Sequence, residues 1–438
     1  MRAFKKGPDY IDAAWLTFAS GAPAHNLDTY LMGFARTVST FAANSIDHGL
    51  NLIEGNRGLY DGFDEHGSHS TAELAKALAA PVVLVVNAAK VTRTASAFVL
   101  GCQRMDRRVN IAGVILNRVH GKRHEQMLRD TIEGICEVPV LGAIPCAPDG
   151  MLLPSRHLGL VTPAEHPDLR ALATNLSDWT SACLDFDRLL DIARQSPPVE
   201  TRMHYGHRRP TSHIVKIGYL TDSAFTFYYP ENLDALRTAG AELLPLSALS
   251  ASTLPAELDA LYIGGGFPET HARQLSASTS FLASIRERAH HGMPIYAECG
   301  GLMLLSRAIV WQGQRHPMAG ILPFDVEVCS AHQGHGYVEL KVDSPNVFFP
   351  QGTRIKGHEF HYSRAMPADP VPATACAVLR GTGAYAKRDG VILDNVWAGY
   401  THLHATATPD WARNFVGLAR GATVLPAVPR LDTVLQTR

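Results

Sequence analysis

Four short apolar runs in the first half of the chain, NLIEG (51–55), PVVLVVNA (81–88), NIAGVILN (110–117) and VPVLGAIP (138–145), most restrict what this sequence can fold into. Turn residues bound each run, and helix-like stretches at 70–79, 93–104 and 122–136 lie between them. Continuous Val, Ile and Leu suit strands buried on both faces, and strands alternating with helices imply a parallel sheet covered on both sides. The pattern breaks at QSPPVETRMHYGHRRPTSH (195–213), a polar, basic and proline-bearing stretch that reads as a linker. It resumes with a strand at HIVKIGYL (213–220), a helix at 230–239, a strand at ALYIGG (260–265), a helix at 278–291 and a strand at MPIYAE (293–298). The region 315–400 is richer in β-structure, and no internal repeat is evident. The expected class is α/β, with one domain over 1–194, a linker over 195–212 and a second domain over 213–438.

A chain of 438 residues exceeds one ordinary core, which fits two or three domains. A net charge of −1, with the 40 basic residues scattered, gives no strong pull toward nucleic acid or membrane. No run of about 18 apolar residues marks a membrane span, and MRAFKKGPDYID carries no apolar signal region, so a cytoplasmic location is expected. The seven cysteines include no C-x-x-C pair, which argues against a disulfide framework and a zinc site. Most of them should be buried apolar residues.

Cys299 stands apart. In MPIYAECGGLMLLS (293–306) an apolar strand runs into Glu298-Cys299-Gly300-Gly301, and an apolar helix follows. A strand-to-helix turn of this kind is a nucleophile elbow: the glycines permit the sharp bend and expose the thiol. The start of the new helix should favour thiolate. ECGG at a strand end is poor core packing but good nucleophile presentation. One strand–helix unit earlier, ALYIGGGFPE (260–269) offers backbone N–H groups that, with the N–H of Gly300, can receive the oxyanion of a tetrahedral intermediate. The candidate donors are Gly265, Gly266 and Gly300. A thiol nucleophile needs a base, and AGYTHLHATATP (398–409) presents His402 and His404 alternating out from a strand-like segment. The residues alone leave the choice between these two open. GHEFHYS (357–363) is not H-E-x-x-H, so a zinc protease is disfavoured; it reads as a structural turn, with a substrate-facing role at the domain interface as the alternative.

With FTFYYPENLDALRTAGAEL (225–243), LYIGGGFPE (261–269), YAECGGLM (296–303), GHEFHYS and YTHLH (400–404), the chain resembles class I, triad-type glutamine amidotransferase domains, specifically those fused into the cobyrinate a,c-diamide synthase family. The resemblance covers nearly all of 213–418. It implies that Cys299 is the nucleophile and His402 its base. Many class I glutaminases place a Glu two residues after that His; here the position holds His404, as is similar in the vitamin-B12 branch.

A glutaminase alone would waste ammonia, so an acceptor must be activated. FKKGPDYIDAAWLTFASGAPAHNLD (4–28), IEGNRGLYDG (53–62), VVNAAKVTRTASAFVLG (85–101), AGVILNRVHGKRHEQMLRDTIE (112–133) and LPSRHLGLV (153–161) are similar to the dethiobiotin-synthetase-like domain of the same family. Physically, ATP chemistry on a carboxylate needs Mg²⁺ and positive charge near the phosphates, and Glu54 follows a buried strand where open α/β sheets bind ligands. The likeness makes Glu54 and Asp9 metal ligands and brings Lys5 to the phosphates. It puts Asn117 and Arg118 near the nucleotide, and Asp12, Arg57 and Asp61 near the acceptor. Asp9 and Asp12 are expected on an early loop. ATP and glutamine are the implied co-substrates.

The family opens with a strand and a P-loop, G-x-x-x-x-G-K-S/T, roughly 25–30 residues before the GPDYID segment. This chain begins six residues before Gly7, and no such pattern occurs in it. A start called too late is the preferred reading, and true loss of the phosphate cradle is the other. As written, the chain should lack its central first strand, expose an unpaired strand edge and bind ATP poorly.

The resemblance implies amidation of two acetate side chains of a corrinoid through an acyl-phosphate. IEGNRGLYDG departs from the commoner family pattern at Asn56-Arg57, and looks like a branch associated with sulfite reductase and proposed to amidate sirohydrochlorin or sirohaem. Arg57 can pair with an acceptor carboxylate or simply face solvent. Cobyrinate and a sirohaem-type tetrapyrrole therefore compete as acceptors. A glutaminase-like regulatory protein with an inactive synthetase half, and a dethiobiotin-like ligase without glutamine use, are the readings from other classes. The thiol at Cys299 opposes the second. A homodimer is the expected assembly.

Overall fold

The apolar runs are strands in the computed structural model, which describes residues 1–148, 151, 153–156, 159–199 and 214–421. The chain divides into two compact units at His204/Tyr205, inside the expected linker, of which residues 200–213 lie outside the described residues.

The first unit runs β1 (Arg2–Lys6), α1 (Ile11–Ser20), β2 (His25–Leu27), α2 (Thr29–Met32), α3 (Phe34–Asn44), β3 (Asn51–Glu54), α4 (Thr71–Ala77), β4 (Val82–Asn87), α5 (Thr94–Met105), β5 (Ile111–Val119), α6 (Gly121–Cys136) and β6 (Val140–Pro145). A short antiparallel pair, β7 (Ser155–Arg156) and β8 (Gly159–Leu160), and helices α7 (Leu169–Ser181) and α8 (Phe186–Arg194) complete it. Local chemistry sets the helix ends. Ser70 accepts from the Glu73 amide at 3.4 Å to start α4, the serine half of a capping box. Asp168 and Asp185 cap α7 and α8 in the same way. Glu137, left-handed at φ 56°, stops α6.

All six longer strands pair in parallel, but in two separate three-stranded sheets, β2-β1-β3 and β4-β5-β6. Leu84, Val86, Val114 and Leu116 pack against Val99, Leu128 and Ile132 of α5 and α6, while Phe4, Leu27, Phe41, Leu74 and Leu78 form a smaller core around β1. Among the described residues β3 and β4 are both edges, with Leu52 46% and Val85 64% exposed. The parallel strands suggested by the strand–helix alternation thus form two sheets rather than one, with an unpaired edge of the kind expected on each. The expected early loop is also corrected in part: Asp9 lies in the irregular stretch after β1, but Asp12 is in the first turn of α1, its amide hydrogen-bonded to the Asp9 carboxylate at 2.8 Å.

The second unit begins with β9 (Val215–Leu220), α9 (Pro230–Thr238), β10 (Ala241–Leu246), β11 (Ala260–Ile263), α10 (Ala272–Ala277), α11 (Thr279–His290), β12 (Ile295–Glu298) and α12 (Gly300–Leu305). The β-rich region follows as β13 (Ala308–Trp311), β14 (Gln314–Pro317), β15 (Asp325–Val328), β16 (Gly334–Val342), β17 (Arg354–His361), β18 (Ser363–Ala365), β19 (Thr374–Arg380), β20 (Arg388–Leu393), β21 (Val396–Gly399) and β22 (His402–Leu403), before α13 (Asp410–Ala419). GHEFHYS, expected as a turn, lies mainly on β17 and enters β18.

Ten strands form one sheet in the order β10-β9-β11-β12-β21-β20-β19-β16-β17-β22, and four form a small sheet, β14-β13-β15-β18. The half from β10 to β21 is parallel and the rest antiparallel. Alternate residues of β11 and β12 feed two cores: Leu261, Ile263, Ile295 and Ala297 enter one, Tyr262 and Tyr296 the other. Each buried Leu or Ile contributes about 1.5–3 kcal/mol, and truncating Ile295 to Ala would cost about 2–5 kcal/mol. The C-terminal ends of β11, β12 and β21 thus lie side by side, where open α/β sheets gather ligand-binding groups. Among the described residues no helix is long and apolar enough to cross a membrane.

Candidate active site

The elbow forms where β12 stops. Cys299 joins Glu298 of β12 to Gly300 of α12 with φ 49° and ψ −99°, a left-handed backbone for a non-glycine residue. Such a conformation costs on the order of 1–3 kcal/mol and persists because its surroundings over-determine it. Two observations supply that constraint. The Cys299 amide donates to the Gly399 carbonyl of β21 at 2.7 Å. Gly301 fits because a Cβ there would stand 2.5 Å from the Ile263 carbonyl of β11.

The glycine loop after β11 closes over the elbow. A Cβ on Gly300 would lie 3.1 Å from the Gly266 nitrogen, so that amide borders the residue after the thiol. Gly265 turns its carbonyl to the Phe227 amide at 3.1 Å, and the Gly264 amide donates to Tyr228 Oη at 2.8 Å. A Cβ on Gly265 would stand 2.5 Å from Cε1 and 3.3 Å from Nε2 of His402. The three expected oxyanion donors and His402 therefore share one small volume with the elbow.

His402 lies opposite His358 of β17, their rings stacked at 5.0 Å. Its Nδ1 is 3.7 Å from Glu298 Oε2. His404 is engaged elsewhere: its Nε2 is 3.6 Å from Glu231 Oε2, its ring rests 4.6 Å from that of Tyr229, and its Nδ1 accepts from the Thr406 amide at 3.2 Å. Neither histidine alternates outward as expected, since both are buried. The thiol also departs from expectation. Burial, followed by the negative charge of Glu269, pushes the Cys299 thiol well up, and the Gly300 amide only partly offsets them. A helix start of six residues does not outweigh the loss of water, and the balance favours the thiol over the thiolate. Burial, with the charges of His402 and His404, holds His358 well below the ordinary histidine value.

Several supporting residues carry no sequence signal. Asp389 of β20 accepts from the Tyr400 and Thr401 amides, both at 3.0 Å, and from Thr401 Oγ1 at 2.5 Å, which fixes the turn leading into His402. Asn232 of α9 donates to the Leu403 carbonyl at 3.0 Å and accepts from the Ala405 amide at 2.7 Å.

In the first unit, Lys5 of β1 meets Asp12 Oδ2 at 2.6 Å, Glu54 Oε2 at 3.4 Å and the Gly55 carbonyl at 3.2 Å. Burial pulls the Lys5 ammonium down, but the Asp12 hydrogen bond and the surrounding carboxylates raise it overall. Burial, then the Asp12 charge, raises Asp9, and burial raises Glu54 against the pull of Lys5. Asn26 holds the GPDYID backbone by donating to the Gly7 and Asp9 carbonyls, both at 2.8 Å.

Among the described residues no three His, Cys, Asp or Glu side chains form an all-protein metal cage. Mg²⁺ needs none, because it keeps waters and uses one or two carboxylates with phosphates; half-exposed Glu54 and acidic Asp9 fit that demand. Arg57 is exposed and left-handed at φ 56°, and the Asp61 carboxylate is occupied by the Gly58 amide at 3.0 Å in its own turn. Asn117 and exposed Arg118 lie near the end of β5, in a different sheet from Lys5 and Glu54. The structure thus gathers Lys5, Asp9, Asp12 and Glu54, and leaves Asn117, Arg118, Arg57 and Asp61 outside that cluster.

Comparison with known proteins agrees with both halves. Residues 216–409 match the CobB/CobQ-like glutamine amidotransferase domain, and residues 2–151 match an AAA domain. The cobyrinate a,c-diamide synthase of Magnetococcus marinus is 40% identical over 94% of this chain and 89% of its own length. Those of Syntrophotalea carbinolica, 40% identical over 96% and 92%, and Dehalococcoides mccartyi, 38% identical over 96% and 91%, are similar. Such likeness along nearly the whole chain means that this protein belongs to the cobyrinate a,c-diamide synthase family.

Proposed function

We propose that the chain amidates the a and c acetate carboxylates of cobyrinate, drawing nitrogen from glutamine and activation from ATP. The observation that carries this reading is the Cys299 elbow, closed by the Gly265–Gly266 loop beneath the His402 ring, in a chain so similar to cobyrinate a,c-diamide synthases.

His402 takes the thiol proton as Cys299 Sγ attacks the carboxamide carbon of glutamine. The amides of Gly265, Gly266 and Gly300 receive the developing oxyanion. The carbon–nitrogen bond then breaks, and the imidazolium returns the proton to the leaving ammonia. Water, deprotonated by the same ring, cleaves the thioester to glutamate and restores the thiol. Burial raises the Cys299 thiol, so proton transfer to His402 accompanies attack.

In the first unit, Lys5 offers positive charge to the phosphates of ATP, and Glu54 and Asp9 would hold Mg²⁺, which supplies neutralisation of phosphate charge when bound. Transfer of the γ-phosphoryl group to an acceptor carboxylate gives an acyl-phosphate. Ammonia attacks that carbon and phosphate leaves. Asp12, Arg57 and Asp61 belong to the acceptor side of this proposal, and Asn117 and Arg118 to the nucleotide side. A sirohaem-type acceptor is not favoured by the cobyrinate-named relatives. A cytoplasmic setting, rich in ATP and glutamine, and a homodimer remain part of the proposal.

Cys299→Ala separates this reading from its rivals. It should abolish glutamine-dependent amidation of cobyrinate while preserving amidation from ammonium salts, read by mass spectrometry of products. Continued use of glutamine by that variant would refute the glutaminase. Sirohaem in a parallel reaction checks the acceptor.

A further inference from the structure

The geometry points to Glu298, the residue immediately before the nucleophile, as the carboxylate that orients His402 and supports its positive charge during glutamine hydrolysis. This rests on the Cys299–His402 pair proposed above. Two residues beyond the base, the chain holds His404, which is turned to Glu231 and Tyr229. A carboxylate nevertheless stands at the correct ring nitrogen. Glu298 Oε2 is 3.7 Å from His402 Nδ1, while the Cε1–Nε2 side of the same ring faces Gly265 and its loop. One nitrogen thus addresses an anion and the other the reaction volume, the division a His base requires.

Glu298 is held in place for this task. Its Oε1 accepts from the Leu403 amide at 3.2 Å, and its Oε2 accepts from Tyr262 Oη at 3.2 Å. The first bond ties the carboxylate to the residue after the base, so acid and imidazole move together. Both side chains are about 98–99% buried. A buried carboxylate without a cation is costly, and among the described residues no Lys or Arg pairs with Glu298. The His402 ring, once protonated, is the cation within reach. The separation of 3.7 Å exceeds a hydrogen bond and would close by a small ring rotation as charge develops. The titratable groups facing this site are Glu298 at the ring, His358 stacked on it, His404 along its own chain, and the Cys299 thiol with Glu269 acting on it. His358 meets it face to face, with its Nδ1 near Tyr229 Oη at 3.3 Å, and offers no anion.

The test compares Glu298→Gln, Glu298→Asp and His402→Ala in the full chain, by glutamate release across the pH range in which histidine titrates. Gln can still accept from the Leu403 amide through its Oε1 and donate to Tyr262 Oη through its Nε2 but carries no charge, so a merely structural Glu298 would be replaced with little loss. We expect Glu298→Gln to lower kcat about 10²- to 10³-fold with little change in KM for glutamine. The acidic limb of kcat/KM should move to lower pH, because the anion that favours the protonated ring is gone. Glu298→Asp should keep the limb in place and recover part of kcat. A Glu298→Gln enzyme within a few-fold of the parent, with an unmoved acidic limb, overturns the proposal when His402→Ala is inactive. Glutamate release by His402→Ala overturns the pair itself and this role with it. Should Glu298→Gln lose the parent's melting transition, Glu298→Asp decides: reduced kcat on the parental limb supports the role, and parental kcat overturns it.

Discussion

Cys299 is placed by its backbone rather than by its side chain. Its φ of 49° belongs to conformations glycine adopts freely, and the Gly399 carbonyl, Gly301 and Ile263 leave the chain no other path. Glycine at an ordinary site destabilises relative to alanine by roughly 0.5–1 kcal/mol. Here relief of strain on the order of 1–3 kcal/mol opposes that loss. Cys299→Gly is therefore expected to melt no lower than Cys299→Ala, as calorimetry of the two inactive variants would reveal. A clear deficit for Gly would mean that the elbow is unstrained. The nucleophile was legible in the sequence because strand, elbow and helix are contiguous in MPIYAECGGLMLLS. Its protonation was not, since the burial that raises the thiol comes from strands distant in sequence. The contact between Glu298 and the His402 region was hidden for the same reason: Glu298 and Leu403 bond across 105 residues.

At the level of elements, the strands read most easily were those made of continuous apolar runs, such as β4, β5, β11 and β12, because such a run has few other uses. The edges of secondary structure were harder. GHEFHYS looked like a turn because its polar residues carry no apolar alternation, yet β16 and β17 pair over eight positions and satisfy its backbone. Asp12 looked like a loop residue because α1 starts from the Asp9 carboxylate rather than from a helix-period signal. The antiparallel half of the sheet is fastened by a charge pair as well. Arg388 of β20 reaches Asp343, just after β16, through both carboxylate oxygens, and also Thr374 of β19 at 2.6 Å. The Arg388 hydrogen bond holds the Asp343 carboxyl below its ordinary value. A depressed carboxylate contributes stability above its unfolded value, near pH 4, and loses it as pH falls through the folded one. Asp343→Asn should thus cost about 0.5–1 kcal/mol near neutrality, allowing for solvent around this half-buried pair, and nothing in strong acid. Melting curves at several pH values check this, and an equal loss at every pH would exclude the ion pair as its origin.

For the molecule as a whole, two compact units, the α/β class and an unpaired strand edge in the first unit follow from the sequence, whereas which strands pair in its two sheets does not. Apolar runs announce that strands exist; their partners depend on which edges meet in space. Among the described residues β3 and β4 are edges, and half-exposed Leu52 and largely exposed Val85 stand on them; β3 ends in the charged Glu54, whereas β4 carries no charge of its own. Val85→Lys should lower self-association at high protein concentration without altering glutamate release, by light scattering and a parallel glutaminase assay. Unchanged scattering would show that β4 is not the adhesive edge. Purified samples of the chain are then expected to age by strand addition between molecules, so that their specific activity comes to reflect storage and handling as well as catalytic chemistry.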